Sequence, residues 1–511
     1  MKISLINPPW YSPVPDRFTA SNLGLSYLTS WLRQNGHEIV PIDALFELPG
    51  YLVESVPVKF KYQDVFRIGM SYENISKLIP NDSNFVGIAA PFSNHKQILQ
   101  ELSFVIKKHH PSAKILIGGP YPSTSPEELK DLPDIDFGFN GEAEIGVKQL
   151  LSGKSYESIK GLVWRDGTQV KVNGRTEVVT DLDTLPFPAR DVFHCNEILE
   201  KKSNARIRQG VDIIEKKVRG VPMITSRGCP YDCNFCSIHF MNGYKWRYRS
   251  PRNVVDELIE LKEKYGVEEV SILDDHLNGN RERFLKIMDL MISENVAIQW
   301  GLPNGIRVDY LDREVMQRMK EAGCNSLVIG IQNGSKDMIE KMNTRLDLNK
   351  VDNIAQIGKE LGLNMASFLI VAYPGETKKL FNESLSFCMK LGKKYGIKDW
   401  RINVARAYPN TNMYNDCKKN SLFVRNPDDL LYFPGDTTEA NIICPEFTPD
   451  EALRRRDYAK RKLMSVENSF YWTFVYYSER LKLKQTLRKI MPDRTWYAMK
   501  KVLFDVSGGR S

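Results

Sequence analysis

Three cysteines crowd into one short loop, Thr225-Ser226-Arg227-Gly228-Cys229-Pro230-Tyr231-Asp232-Cys233-Asn234-Phe235-Cys236, and this loop constrains the chain more than any other stretch. The spacing C-x3-C-x2-C gives three thiolates and no local fourth. Closed structural zinc sites use four protein ligands. A 4Fe-4S cluster is commonly held by four Cys, so three leave one iron open to a small molecule. The loop therefore reads as a reaction centre rather than a staple. The alternative is a zinc knuckle completed by Cys195, Cys324 or a His. Eight Cys in 511 residues is too sparse for a disulfide scaffold, which suits a reducing compartment.

A chain of 511 residues is long enough for two or three domains with cores of their own. The apolar run Ile3–Ile6 before Asn7-Pro8-Pro9 is too short for a signal segment and reads as a first strand. No run of about 18 apolar residues occurs, so no membrane span is expected, and a cytoplasmic location follows. The net charge of +8 is uneven: residues 451–511 hold 15 Lys/Arg against 6 Asp/Glu, a balance of +9 that leaves −1 for the rest. A basic tail faces nucleic acid, anionic lipid or acidic substrate, or is a solvated helix face.

Residues 1–165 alternate apolar runs and amphipathic stretches, with strands expected at 2–7, 38–43, 85–90, 114–118 and 136–139 and helices at 23–34 and 96–109. This rhythm predicts a doubly wound, Rossmann-like parallel sheet with its ligand beyond the strands' carboxyl ends. The loops there carry Asn7-Pro8-Pro9, Pro91-Phe92-Ser93-Asn94-His95, Gly118-Gly119-Pro120 and Gly141-Glu142-Ala143-Glu144. Gly118 and Gly119 admit a close backbone approach. Residues 166–215 read as a connector with a hairpin around Asp166-Gly167. From 216 to 420 the alternation resumes, with strands from Met223 and at 270–273, 298–302, 326–331, 365–371 and 400–405. A complete or partial TIM-type (β/α) barrel follows, with chemistry at its carboxyl rim. Residues 421–511 form a mostly helical, aromatic and basic extension. Its run Phe470–Tyr477 with Arg480, Lys482, Lys484, Arg488 and Lys489 reads as an interfacial helix or as a cap on the barrel.

Cys229, Cys233 and Cys236, after a first barrel strand and Ser226-Arg227-Gly228, resemble the cluster loop of the radical S-adenosylmethionine superfamily. The resemblance implies that these three are the cluster ligands and that S-adenosylmethionine chelates the open iron, where one electron cleaves it. Asp274-Asp275, ending the second barrel strand, would hold polar groups of that nucleoside or its methionine, or else cap the next helix. Gln332 and Asn333, in Ile329-Gly330-Ile331-Gln332-Asn333-Gly334-Ser335, resemble the strand that approaches its ribose, with Gln332 where many members carry Glu. Pro374 and Gly375, in Ala372-Tyr373-Pro374-Gly375-Glu376-Thr377, resemble the turn on its adenine side.

The N-terminal loops are similar to the cobalamin-binding domain fused to many of these enzymes, implying cofactor contacts at Asn7, Phe92, Ser93, Asn94, Gly118, Gly119 and Glu142. The first 165 residues lack an Asp-x-His-x-x-Gly motif, so the axial His of methionine-synthase-like domains is absent; His95 at a helix start reads as an axial ligand of cobalt or, more in keeping with its position, as solvated. The run Tyr244–Pro251 resembles methylases acting on phosphonates; Arg247 and Arg249 would hold a phosphate or phosphonate, or be salt-bridge residues on the barrel surface. The resemblance as a whole implies a methyltransferase acting on an unactivated carbon of a small-molecule intermediate through a 5′-deoxyadenosyl radical and methylcobalamin. Its cofactors would be a 4Fe-4S cluster, S-adenosyl-L-methionine and cobalamin. An electron donor such as flavodoxin or ferredoxin is implied, with peripheral membrane contact through the tail and no nucleic acid. Two alternatives stand beside it: cobalamin-assisted ring closure or rearrangement without methyl transfer, and a non-enzymatic cobalamin- or redox-responsive binding module.

Overall fold

The computed structural model describes residues 1–12, 22–59, 64–91, 95–193, 207–209, 212–214, 219–426 and 440–463. In the first half the strands are β1 (Lys2–Asn7), β2 (Trp10–Ser12), β3 (Glu38–Asp43), β4 (Glu54–Lys59), β5 (Asp64–Gly69), β6 (Phe85–Ala89), β7 (Lys114–Gly118), β8 (Phe137–Phe139), β9 (Leu162–Asp166) and β10 (Gln169–Val172). Seven of them form one sheet in the order β10-β9-β8-β7-β6-β1-β3. Its centre is parallel, and β1 is buried over nearly its whole length, as a strand covered on both faces should be. The chain leaves β1 for β3 on one side and returns to β6 on the other. That reversal makes the carboxyl ends of β1 and β6 a topological switch point, where open α/β sheets bind ligands.

Two departures from expectation stand out here. The hairpin β9-β10 pairs antiparallel with β8 and extends the sheet, so it is part of the first domain and not of a connector. A second small sheet, β2-β5-β4, is antiparallel; its edge strand β4 is largely exposed and carries Pro57, a residue that edge strands tolerate.

The second half opens with the pair β11 (Ile207–Gln209) and β12 (Asp212–Ile214), then β13 (Gly220–Met223), β14 (Ser226–Arg227), β15 (Arg247–Tyr248), β16 (Glu269–Ile272), β17 (Gln299–Gly301), β18 (Cys324–Gln332), β19 (Met365–Val371) and β20 (Asp399–Val404). Strands β13-β16-β17-β18-β19-β20 pair in sequence order and in parallel, giving a six-stranded partial barrel. The helix Pro251–Tyr265 shows why its crossovers form: Ser250 accepts from the Asn253 amide, Pro251 sits in the first turn, and Gly266 ends it at φ 59°. Its Val254, Leu258 and Leu261 join the barrel core with Val270 and Trp300. Each such side chain contributes about 1.5–3 kcal/mol on burial. The helix Pro449–Leu463 packs against β20 and the helix Lys378–Tyr395, a cap on the barrel. The tail from 464 onward, including Phe470–Tyr477 and its lysines and arginines, lies outside the described residues. No helix among the described residues is long and apolar enough to cross a membrane.

Candidate active site

The loop Gly228–Cys236 leaves the barrel beyond β14, and the barrel holds it by its backbone. The Gly228 amide donates to Asp275 Oδ2 at 3.0 Å, and Asn242 Nδ2 donates to the same oxygen at 2.7 Å. Asp274 takes the Thr225 amide and the Thr225 and Ser226 hydroxyls, each at 2.6 Å. Both oxygens of buried Asp274 are thus taken by the loop's own stem rather than offered to a nucleoside, whereas the bonds to half-buried Asp275 fall on Oδ2. Burial pushes Asp275 up to about 6 against those two donors, and it raises Asp274 as well. Farther along, Asn234 bonds the Met342 and Lys341 carbonyls, and Asn343 Nδ2 donates to the Asp232 carbonyl. Gly228, at φ 87°, is a position only glycine can fill: a Cβ there would lie 2.5 Å from the Lys245 oxygen.

This architecture leaves the three thiols as the loop's free chemistry. Cys229, Cys233 and Cys236 are half-buried and unpaired by disulfides. Burial pushes Cys233 up to about 11 and Cys236 to about 12, while the Tyr231 and Ile238 amides act in the opposite sense on Cys229 and Cys236. Three neutral-leaning thiols beside amide donors fit a cationic cluster that would hold them as thiolates. Among the described residues no three His, Cys, Asp or Glu side chains converge on one metal ion.

Gln332 and Ala372 end the adjacent strands β18 and β19 at φ 63° and 55°, conformations that non-glycine residues seldom adopt. Between them Glu376, fully buried, accepts from the Ala372 amide at 2.6 Å and from Asn333 Nδ2 at 3.2 Å. Arg455 of the C-terminal helix closes this lock on the Glu376 carbonyl at 2.6 Å. Asn333, expected at a ribose, is instead wholly buried inside the lock. Gln332, Pro374 and Gly375 remain partly exposed at the rim.

On the sheet domain, Asn7 donates to Asp43 Oδ1 at 2.9 Å and accepts from Asn22 at 3.0 Å, so its amide braces the β1 turn. Gly119 (φ 113°) presses against the Ala90 carbonyl, whereas a Cβ on Gly118 would meet nothing within 4 Å. The backbone at Gly118 is therefore open to close approach on the side where a Cβ would stand. Phe92, Ser93 and Asn94 lie outside the described residues. His95 is buried, correcting its reading as a solvated helix start.

Arg247 and Arg249 are salt-bridge residues, as the second of their two readings has it, but buried ones. Glu142 pairs with Arg227 at 3.1 Å and with Arg247 across the domain boundary. Arg249 pairs with Glu257, which also takes Arg190 at 3.1 Å. Glu142, Arg247 and Arg249 are all buried, so the two arginines are neither surface residues nor free to hold a phosphate. Residues missed from sequence include Arg227, Glu144, Asn242, Glu376 and Arg455; the Ser-Arg-Gly, Gly-Glu-Ala-Glu and Pro-Gly-Glu motifs hinted at three of them.

Residues 223–388 match the model of the Radical SAM superfamily. An uncharacterised methyltransferase of Pyrococcus horikoshii is 26% identical over 83% of this chain and 84% of its own. The anaerobic magnesium-protoporphyrin IX monomethyl ester cyclase of Rubrivivax gelatinosus is 22% identical over 92% of this chain and 77% of its own. Among solved structures, the radical S-adenosylmethionine methyltransferase TsrM from Kitasatospora setae, with cobalamin and a 4Fe-4S cluster bound, superposes with a TM-score of 0.62 at 16% identity, over 83% of this chain and 79% of TsrM. The cobalamin-dependent S-adenosylmethionine radical enzyme OxsB, with aqua-cobalamin and S-adenosylmethionine bound, gives 0.69 at 16% identity, over 99% of this chain and 70% of OxsB. Residues 223–388 thus match the Radical SAM superfamily model behind a seven-stranded switch-point sheet, and the fold is similar to those of TsrM and OxsB.

Proposed function

We propose that this chain is an enzyme that uses a 4Fe-4S cluster, S-adenosylmethionine and cobalamin to act on a small molecule held between its two domains. The observation that carries the reading is the meeting of the two carboxyl edges. The helix Pro120–Thr124, directly after Gly118-Gly119, packs on the helix Ile238–Asn242, directly after Cys236. The two cofactor loops are thus neighbours, as a reaction shared between two cofactors requires.

When bound, the groups would supply one-electron hydrogen abstraction at a substrate carbon and a second reactive centre at cobalt. The chain's own task is placement. Cys229, Cys233 and Cys236 hold the cluster, while Asp275 and Asn242 fix the loop that carries them. Gln332, Pro374 and Gly375 border S-adenosylmethionine, with Glu376 and Asn333 fixing their backbone. Gly118, with the loop through Phe92, Ser93 and Asn94, receives the corrin, and Asn7 steadies the adjoining turn. An external one-electron donor of the flavodoxin or ferredoxin kind supplies the electron.

Two outcomes fit this site. Ring closure or rearrangement without methyl transfer is supported by the cyclase relative, which spans 92% of this chain. Methyl transfer to an unactivated carbon is the second reading, supported by the methyltransferase from Pyrococcus at 26% identity. Anaerobic turnover with S-adenosylmethionine, cobalamin and a strong reductant separates them. Joint 5′-deoxyadenosine and S-adenosylhomocysteine support methyl transfer, and 5′-deoxyadenosine alone during substrate conversion supports ring closure or rearrangement. Loss of cobalamin on gel filtration counts against both.

A further inference from the structure

Arg227 and Arg247 are register partners across the two-residue ladder β14-β15, so two guanidiniums stand side by side directly before Gly228 and Cys229. Like charges opposite each other in a ladder repel. Both are out of water, at 8% and 3% exposure. Among the described residues their ion pairs are with carboxylates of the sheet domain, while Asp275 of the barrel acts on Arg227 only through the weaker field of a nearby charge. Glu142 takes Arg227 Nη1 at 3.1 Å and both terminal nitrogens of Arg247, one of them at 3.0 Å. Glu144 takes Arg227 Nη1 at 2.8 Å. Trp31 Nε1 fixes the Glu144 carbonyl at 2.8 Å, and the Tyr27 ring lies 5.4 Å from the Arg227 guanidinium carbon. Two buried acids thus neutralise two buried bases at the stem of the cysteine loop, from a different domain. A buried charge left without its partner is strongly unfavourable. Gly228 is held by its amide on Asp275, and a Cβ there would run into the Lys245, Asn242 and Gly243 carbonyls, so little slack separates Arg227 from Cys229.

We propose that Glu142 and Glu144 are positioning residues of the sheet domain that set the geometry and the electrostatics of the cluster loop by neutralising the cross-strand pair Arg227 and Arg247. The cobalamin-side domain then governs the cluster's reducibility as well as the second cofactor. The inference rests on reading Cys229, Cys233 and Cys236 as cluster ligands. Losing Glu142 removes one negative charge beside the cluster, which makes reduction easier, and leaves two guanidiniums in mutual repulsion.

The test uses the full chain, reconstituted anaerobically with iron and sulfide, as wild type, Glu142→Gln, Glu144→Gln, Glu142→Gln/Arg247→Gln and Glu314→Gln. Glu314 is an exposed acid far from the loop in its contacts, paired with Arg281. Iron and sulfide content, the paramagnetic resonance spectrum of the reduced cluster and its midpoint potential are read. Glu142→Gln should raise the potential and alter the spectrum, Glu144→Gln should do so less, and Glu314→Gln not at all. The double variant, which removes the opposing guanidinium too, should move both readouts back toward wild type. If Glu142→Gln does not fold, Glu144→Gln decides, because Glu142 still neutralises the pair there. Variants that load a full cluster with wild-type potential and spectrum overturn the proposal, as does an equal shift in Glu314→Gln. A wild-type chain that loads no cluster overturns the cluster reading itself.

Discussion

At the carboxyl edge of the six-stranded barrel, the acids are turned inward: Asp274, Asp275 and Glu376 accept from backbone amides and hold the rim in conformations such as Gln332 at φ 63°. At the carboxyl edge of the seven-stranded sheet the surface is left plain, with open space over Gly118 and a neutral amide brace at Asn7. One acid of that edge, Asp43, is buried and taken by the Asn7 side chain and the Leu45 amide, and two others, Glu142 and Glu144, serve the other domain. The difference teaches what each half contributes. The barrel presents an electrostatically built rim around the cysteine loop. The sheet lends two of its acids to that loop and leaves the backbone at Gly118 open to approach.

The comparison is broken most directly at the thiols. Replacing Cys229, Cys233 or Cys236 by Ala should reduce 5′-deoxyadenosine formation to background while the sheet domain still retains cobalamin on gel filtration. Arg455→Ala should follow, because it leaves Glu376 buried and unpaired. A loss of about 3 kcal/mol in chemical denaturation is expected. Next comes His276, beside the loop and packed between Tyr231, Trp246 and Tyr310. Burial lowers its pKa to about 4, with Arg307 adding to the shift. Its folded value lies below its unfolded one, so its contribution is complete above the unfolded pKa of about 6.5 and is lost as pH falls toward 4. The full swing is about 3 kcal/mol, and His276→Gln should flatten that part of the stability–pH curve.

Two glycines sharpen the sheet side. Gly119→Ala forces a side chain into φ 113° against the Ala90 oxygen and should destabilise by about 1–3 kcal/mol, read as a fall in Tm. Gly118→Leu fills space that is open, so stability should change by less than about 0.5 kcal/mol while cobalamin retention drops. Equal effects at both positions would erase the contrast between a structural and a receiving glycine.

Sequence pattern carried the long parallel strands well, because β1, β6, β7 and β19 are apolar runs bounded by turn residues. It failed at β4, whose charged, exposed ESVPVK run lacks a buried face to give it a period. The thiol triad was legible because its ligands are local. The roles of Glu142 and Arg247 were not, since each is defined by a partner 105 positions away, and spacing along the chain says nothing about which way a side chain at a strand end turns. Asp274 failed for a related reason: an acid at a carboxyl rim can face the ligand or the rim's own amides, and only the fold decides.

Paramagnetic resonance of the anaerobically reconstituted, reduced chain tests the central claim most directly. The account predicts a 4Fe-4S signal that changes when S-adenosylmethionine is added and disappears in Cys233→Ala. A signal indifferent to S-adenosylmethionine, or one that survives Cys233→Ala, would contradict it.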